Sequence, residues 1–117
     1  TIKDAVDSIF DPTTGMSDEE KKKFIEKLYK KIKSGKKLSA DEMQYLRMND
    51  PVTYAKMAKV QIQRKALESR LKQAKSKEEA LEIYTSAKSR ISDDDPAREE
   101  LNAAYDDAYG EFKKSEQ

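Results

Sequence analysis

Apolar positions recur along the chain at intervals of three and four residues, the spacing that places side chains on one face of an α-helix. β-Branched residues are scattered and never alternate with polar ones over a useful length, so no strand is indicated. The clearest helical series comprises Ala97, Leu101, Ala104, Tyr105, Ala108 and Phe112. The pattern therefore predicts an all-α protein.

Two helix-start signals define an N-terminal arm. Ser17 and Ser39 each precede a glutamate by three residues, the spacing of a capping box, in which both side chains accept backbone N–H groups. We expect a helix from Ser17 to about Ser34 that ends at Gly35, and a short helix after Ser39. The apolar face of the first helix comprises Phe24, Ile25, Leu28, Tyr29 and Ile32.

A corner at Asp50 and Pro51 separates this arm from the rest of the chain. Pro51 lacks an N–H and disfavours helical geometry at Asp50, so the short helix should end near Met48 or Asn49. Pro51 also suits the first position of a new helix, with Asp50 as its N-cap. This long helix should run to about Lys75. Its predicted apolar contacts are Val52, Ala55, Ala58, Val60, Ile62, Ala66, Leu67 and Leu71.

Two further helices follow the long one. Ser76 and Glu79 form a third capping-box pattern, and Asp95 and Pro96 predict the N-cap and first position of the last helix. Ala80, Leu81, Tyr84, Ala87 and Ile91 give the face of the fourth helix. Because short connections favour antiparallel neighbours, we expect an up–down–up body. The predicted organisation is an amphipathic stub and turn over residues 1–16 and one helical-bundle domain over 17–117. That domain comprises arm helices at 17–49 and a three-helix body at 50–117.

The composition predicts a thin hydrophobic core. Of the 117 residues, 36% are hydrophobic and 40% are charged, and the mean hydropathy is −1.01. An average globular domain is richer in apolar residues and poorer in charge. Since one thin core buries little apolar surface, a partner helix or self-association is expected.

Charge is unevenly distributed although the net charge is only +1. The segment from Lys21 to Lys37 contains nine lysines and a single acidic residue, Glu26, so its local net charge is +8. This segment suits the phosphates of nucleic acid or anionic lipid headgroups, but a solvated helix face is the simpler interpretation. The segment also lacks arginine, the residue best suited to bidentate base and phosphate contacts. The predicted anion or nucleic-acid contacts are Lys23, Lys27, Lys30, Lys31, Lys33 and Lys37.

The N-terminal stub is the second candidate contact surface. Ile2, Val6, Ile9 and Phe10 form a short amphipathic pattern. Residues 92–117 carry nine acids against three basic residues, a balance of −6, which complements the basic arm. These features predict a protein partner or a weak homodimer centred on the first ten residues.

No catalytic, cofactor or metal site is indicated. The chain contains no Cys and no His, which removes thiol nucleophiles, imidazole chemistry and the usual zinc ligands. Asp93, Asp94 and Asp95 precede Pro96 and lack the glycine turn of a calcium-binding loop. We therefore expect a non-enzymatic protein-interaction or adaptor module, with binding of the nucleic-acid phosphate backbone through Lys21–Lys37 as the alternative.

The stretch from Leu38 to Met57 resembles segments of the form YLR…NDP…YAKM in small uncharacterised bacterial all-helical proteins. The resemblance covers about twenty residues and implies a bacterial origin and an all-helical fold, with no known activity and no functional residues. No apolar run approaches the ~20 residues that a membrane-spanning helix needs. Localisation stays open, with the cytoplasm favoured.

Overall fold

A computed structural model describes residues 10–115 of the chain. Its five helices are α1 (Asp18–Ser34), α2 (Ala40–Asn49), α3 (Pro51–Gln73), α4 (Lys77–Ser89) and α5 (Arg98–Ser115). No strand occurs within residues 10–115, and the predicted all-α class is confirmed.

The helix-start signals of the arm and the corner are confirmed. Ser17 and Ser39 both form the complete reciprocal capping box. Asp50 accepts a hydrogen bond from the backbone N–H of Thr53, and its carboxylate also accepts one from the Tyr29 hydroxyl at 2.6 Å. The corner between α2 and α3 is therefore tied to α1 as well.

Two predicted helix starts differ in detail. Ser76 caps α4, but the Glu79 carboxylate accepts the backbone N–H of Lys75 instead of that of Ser76. The last helix begins at Arg98, two residues beyond the predicted position at Pro96. The reason is a tight turn in which the N–H of Arg98 donates to the carbonyl oxygen of Asp95 at 3.0 Å, so α-helical bonding starts later.

The core is built around α3, which packs against α2, α4 and α5, while α1 and α4 also contact α5. The predicted α5 face is buried as far as Ala108, and Phe112 is half-buried. Lys56 of α3 contacts Glu100 of α5 at 3.9 Å, and Arg64 contacts Asp107 at 2.7 Å, so contacts between these helices advance in the same direction. This order is compatible with the up–down–up arrangement, which stays a prediction. The most deeply buried large side chains are Leu28, Leu46, Val60, Leu71 and Leu101.

Only one side of α3 faces this core. Its buried residues are Met57, Val60, Arg64, Leu67 and Leu71, again at intervals of three and four. The predicted apolar contacts of α3 are wrong at four positions that are exposed, which are Val52, Ala55, Ile62 and Ala66. Val52 and Ile62 are 70% and 72% exposed. Leu81 of α4, also predicted as a core residue, is 50% exposed. The neighbours of α3 cover its buried side and leave the side with Val52 and Ile62 in solvent.

Candidate functional site

The six predicted contact lysines differ in the ion pairs that they form. Lys31 pairs with Glu42 of α2 at 2.6 Å, and Lys37 pairs with Glu68 of α3 at 3.3 Å. Lys23 forms only an exposed pair with Glu19, at 3.8 Å, within α1. The remaining three lysines are Lys27, Lys30 and Lys33. They are exposed and form no ion pair within residues 10–115.

Lys31 holds α1 against α2 through its ion pair with Glu42. Its partner Glu42 is only 5% exposed and also accepts the backbone N–H of Ser39 at 2.8 Å. Burial alone would raise the pKa of Glu42, but the hydrogen bonds from Lys31 and Ser39 outweigh it and lower the pKa below its ordinary value. The Lys31–Glu42 pair therefore joins α1 to α2 and is not free for a ligand.

A buried arginine joins the arm to the body. Arg64 is 4% exposed, and its guanidinium donates to the carbonyl oxygen of Gly35 at 2.6 Å, to Asp107 at 2.7 Å and to Glu68 at 3.1 Å. These contacts link the end of α1 with α3 and α5. We call these four residues, together with Lys36, the Arg64 cluster.

Lys36 completes this cluster by pairing with the second oxygen of Asp107 at 2.8 Å. Burial would raise the pKa of Asp107, but the hydrogen bonds from Lys36 and Arg64 outweigh it and lower the pKa. A depression of about 480 Å³ that is lined by charged residues lies over the cluster. Because most of the charges lining it are already paired, we assign it to the architecture of the arm.

Opposite the core, α1 presents a surface that we call the outer lysine face. Leu28 and Ile32 of the same helix are buried, and the lysines project away from them. Its members are Lys22, Lys23, Lys27, Lys30 and Lys33. The positive charge predicted from the sequence is therefore present on this face. Lys31, Lys36 and Lys37 do not contribute to it, because they pair with acidic residues of other helices.

The exposed side of α3 presents a second surface, the outer α3 stripe. Its positions follow intervals of three and four residues, as the buried side does, and all are exposed. Lys59 interrupts the apolar series and pairs with Asp95. The stripe comprises Val52, Ala55, Lys59, Ile62, Ala66 and Ser69.

The edges of the outer α3 stripe are basic. Lys65 and Lys72 lie along one edge and Arg70 along the other, as helical spacing requires. All three are exposed, and none forms an ion pair within residues 10–115. Lys56, on the same edge as Arg70, pairs with Glu100 at 3.9 Å. The stripe is thus an apolar line with net positive charge beside it.

A groove of about 380 Å³ lies at the turn between α3 and α4. Tyr109 lines it and stacks on Tyr84, with ring centroids 4.3 Å apart. The Lys113 ammonium lies 4.7 Å from the centroid of the Tyr109 ring. The lining residues are Ala74, Lys75, Ser76, Lys77, Ala80, Tyr109, Phe112 and Lys113.

The N-terminal stub is only partly described. Ile2, Val6 and Ile9 lie outside residues 10–115, whereas Phe10 is 55% exposed. Within the described range, no group of three or more carboxylates is arranged to hold a metal ion. No helix in that range is both long and apolar enough to span a membrane.

Sequence reasoning missed Arg64 and the outer α3 stripe. Arg64 carried one usable signal, because it occupies a position of the Met57–Leu71 series that is otherwise apolar. The outer stripe was visible as a second set of apolar residues, but the pattern alone did not say which set faces the core.

In comparisons with known proteins, no family model, no curated protein and no solved structure matches the chain.

Proposed function

We propose that the protein is a non-enzymatic interaction or adaptor module that binds an amphipathic helix of a partner protein along the outer α3 stripe. The observation that carries this proposal is the exposure of Val52 and Ile62 at 70% and 72%, on a helix whose other side forms the core. A helix with apolar residues on both sides has one face available for a second packing partner.

The geometry of the stripe suits a helix. Val52 and Ile62 are ten residues apart, about 15 Å at 1.5 Å per residue, which a partner helix of three to four turns can cover. Ala55 and Ala66 are small and let the two helix axes approach closely. Burying Val52 and Ile62 would contribute roughly 1.5 to 3 kcal/mol each before the cost of association. A partner helix would contact the stripe through its own apolar residues at intervals of three and four, as packed helices do.

The charges beside the stripe favour an acidic partner. Lys65, Arg70 and Lys72 would face the flanking positions of a docked helix. Two copies of this chain facing each other through the stripe would bring these like charges together, which disfavours self-association there. A partner with Asp or Glu beside its apolar positions complements them instead. The weak homodimer through Ile2, Val6, Ile9 and Phe10 is a separate hypothesis, and it does not use the stripe.

A selection experiment tests the proposal. A displayed library of helical peptides with randomised faces is selected on the wild-type protein, and the enriched peptides are then measured on Ile62→Glu and on Leu81→Glu. Leu81 is the matched control, because it is an exposed aliphatic residue on α4. We expect apolar positions at intervals of three and four with acidic flanks, and binding lost only in Ile62→Glu. Peptides that bind both variants equally would contradict the proposal.

Binding of the nucleic-acid phosphate backbone is the second candidate function. Lys27, Lys30 and Lys33 support it, because they are exposed and have no acidic partner in the described part of the chain. The engagement of Lys31 and Lys37 in ion pairs reduces the charge available to phosphates. We therefore rank it below the protein-interaction module. The bacterial origin suggested by the Leu38–Met57 resemblance stays a prediction.

A further inference from the structure

The groove at the turn between α3 and α4 has a composition that neither the outer α3 stripe nor the outer lysine face shares. It combines a half-enclosed apolar floor with cations at its rim. Its volume of about 380 Å³ falls in the lower part of the range for small-molecule sites, which is roughly 300–1,000 Å³. The groove therefore has room for a small ligand and too little for a folded partner.

The floor is held in place by packing. Ala80 is 1% exposed and belongs to the core, while Tyr109 and Phe112 project from α5 and are half-buried. Tyr109 is fixed by its stacking on Tyr84, whose hydroxyl donates to Asp106 at 2.5 Å. The hydrogen bond to Asp106, together with burial, raises the pKa of Tyr84 to about 12. The apolar floor is consequently present before any ligand arrives.

The rim is positively charged. Lys75, Lys77 and Lys113 line the groove, and none forms an ion pair within residues 10–115. The nearby Glu79 carboxylate is engaged, since it accepts the backbone N–H of Lys75 at 3.0 Å. Lys113 contacts the Tyr109 ring, which keeps its ammonium at the groove. A ligand that complements this rim carries negative charge.

We propose that the groove binds a small organic carboxylate with a medium-length apolar chain. The chain would lie on Ala74, Ala80, Tyr109 and Phe112, and the carboxylate would meet the ammonium groups of the rim. A carboxylate alone would leave the floor empty, and a neutral chain would leave the three lysines without a counter-charge. Both parts of the ligand are therefore required for affinity.

Sodium decanoate, below its micellar concentration, is the probe. Its binding to the ¹⁵N-labelled full chain is followed by heteronuclear NMR, with sodium acetate and decyltrimethylammonium as probes that lack the chain or reverse the charge. Lys77→Glu/Lys113→Glu removes the rim charge, and Lys65→Glu/Lys114→Glu is a control of equal net charge outside the groove. Ala74→Phe fills the groove from a half-buried position without changing any charge.

We expect saturable decanoate shifts confined to residues 74–80 and 109–113. Affinity should fall at least about tenfold in Lys77→Glu/Lys113→Glu and in Ala74→Phe, and stay unchanged in the control variant. Acetate and decyltrimethylammonium should not saturate. Shifts scattered over the surface, equal affinity in groove and control variants, or binding of an acidic peptide but not of decanoate would each overturn the proposal. Circular dichroism of each variant verifies the fold, and the two groove variants act independently.

Discussion

The guanidinium of Arg64 donates a hydrogen bond to the carbonyl oxygen of Gly35 across 2.6 Å. Gly35 ends α1 with a φ of 78°, and Arg64 lies in the middle of α3. This single contact places the end of the lysine-rich helix against the body. Asp107 and Glu68 supply the negative charge that a buried guanidinium needs. Part of the basic segment, namely Lys31, Lys36 and Lys37, is therefore structural, and only the outer lysine face of α1 stays open to a ligand.

Replacing Arg64 should be strongly destabilising. Arg64→Ala leaves one carboxylate oxygen of Asp107 and the Gly35 carbonyl without their donor in a buried site, although Lys36 still pairs with the other oxygen of Asp107. Loss of one partner from such a cluster costs about 3 to 5 kcal/mol. Arg70→Ala on the same helix is the matched control, because Arg70 is exposed, and its effect should stay within about 0.5 kcal/mol. Urea unfolding of both variants gives the comparison. Similar midpoints for the two would show that the Arg64 cluster contributes little.

Two glycines should respond in opposite ways to alanine. A Cβ on Gly35 would lie 2.1 Å from the Ala103 carbonyl oxygen, at a backbone conformation that alanine disfavours. Gly110 is helical, and a Cβ there would meet nothing within 4 Å. Gly35→Ala should lower the melting temperature, and Gly110→Ala should raise stability by about 0.5 to 1 kcal/mol. A stabilising Gly35→Ala would refute the close approach of α1 to α5.

Acid should loosen the attachment of the arm. The folded-state pKa values of Asp107 and Glu42 are lowered, so their contribution is present above the ordinary pKa of about 4 and is lost as pH falls through the folded values. Asp107→Asn should therefore be less stable than wild type at pH 7, and the gap should narrow below about pH 4. Chemical unfolding from pH 7 to pH 2 measures it. A gap that does not change with pH would contradict this linkage.

The outer lysine face should bind polyanions weakly and with steep salt dependence. Phosphate contacts release counterions, so affinity for mixed-sequence DNA or RNA should fall as salt rises. Lys27→Glu/Lys30→Glu/Lys33→Glu should abolish this binding. Lys65→Glu/Arg70→Glu/Lys72→Glu carries the same net charge change and should retain most of it. Tight binding at physiological salt that is lost only in the α1 variant would place nucleic-acid binding above protein interaction.

Local signals were sufficient to predict most helix boundaries. The boxes at Ser17 and Ser39 and the cap at Asp50 depend on residues within one turn, so sequence spacing determines them. The start of α5 was predicted too early because the Asp95 side chain caps a tight turn before regular helix begins. Its apolar face was predicted well because α5 has one apolar side, and its burial follows from that side alone.

Features that depend on several helices could not be read from the pattern. The series with Val52 and Ile62 and the series with Val60 and Leu67 both have helical spacing, so only the positions of α2, α4 and α5 decide which is buried. The burial of Arg64 depends on Gly35 and Asp107, which are 29 and 43 residues away in sequence. The lysines of α1 likewise look equivalent until their acidic partners on other helices are placed.

The most direct test of the interaction module is a titration of ¹⁵N-labelled protein with an acidic amphipathic peptide taken from the helical-library selection. We expect saturable shifts along Val52, Ala55, Ile62 and Ala66, with affinity lost in Ile62→Glu and kept in Leu81→Glu. Shifts centred on any other surface, or a peptide that binds Ile62→Glu as tightly as wild type, would contradict the assignment of the outer α3 stripe as the partner-binding face.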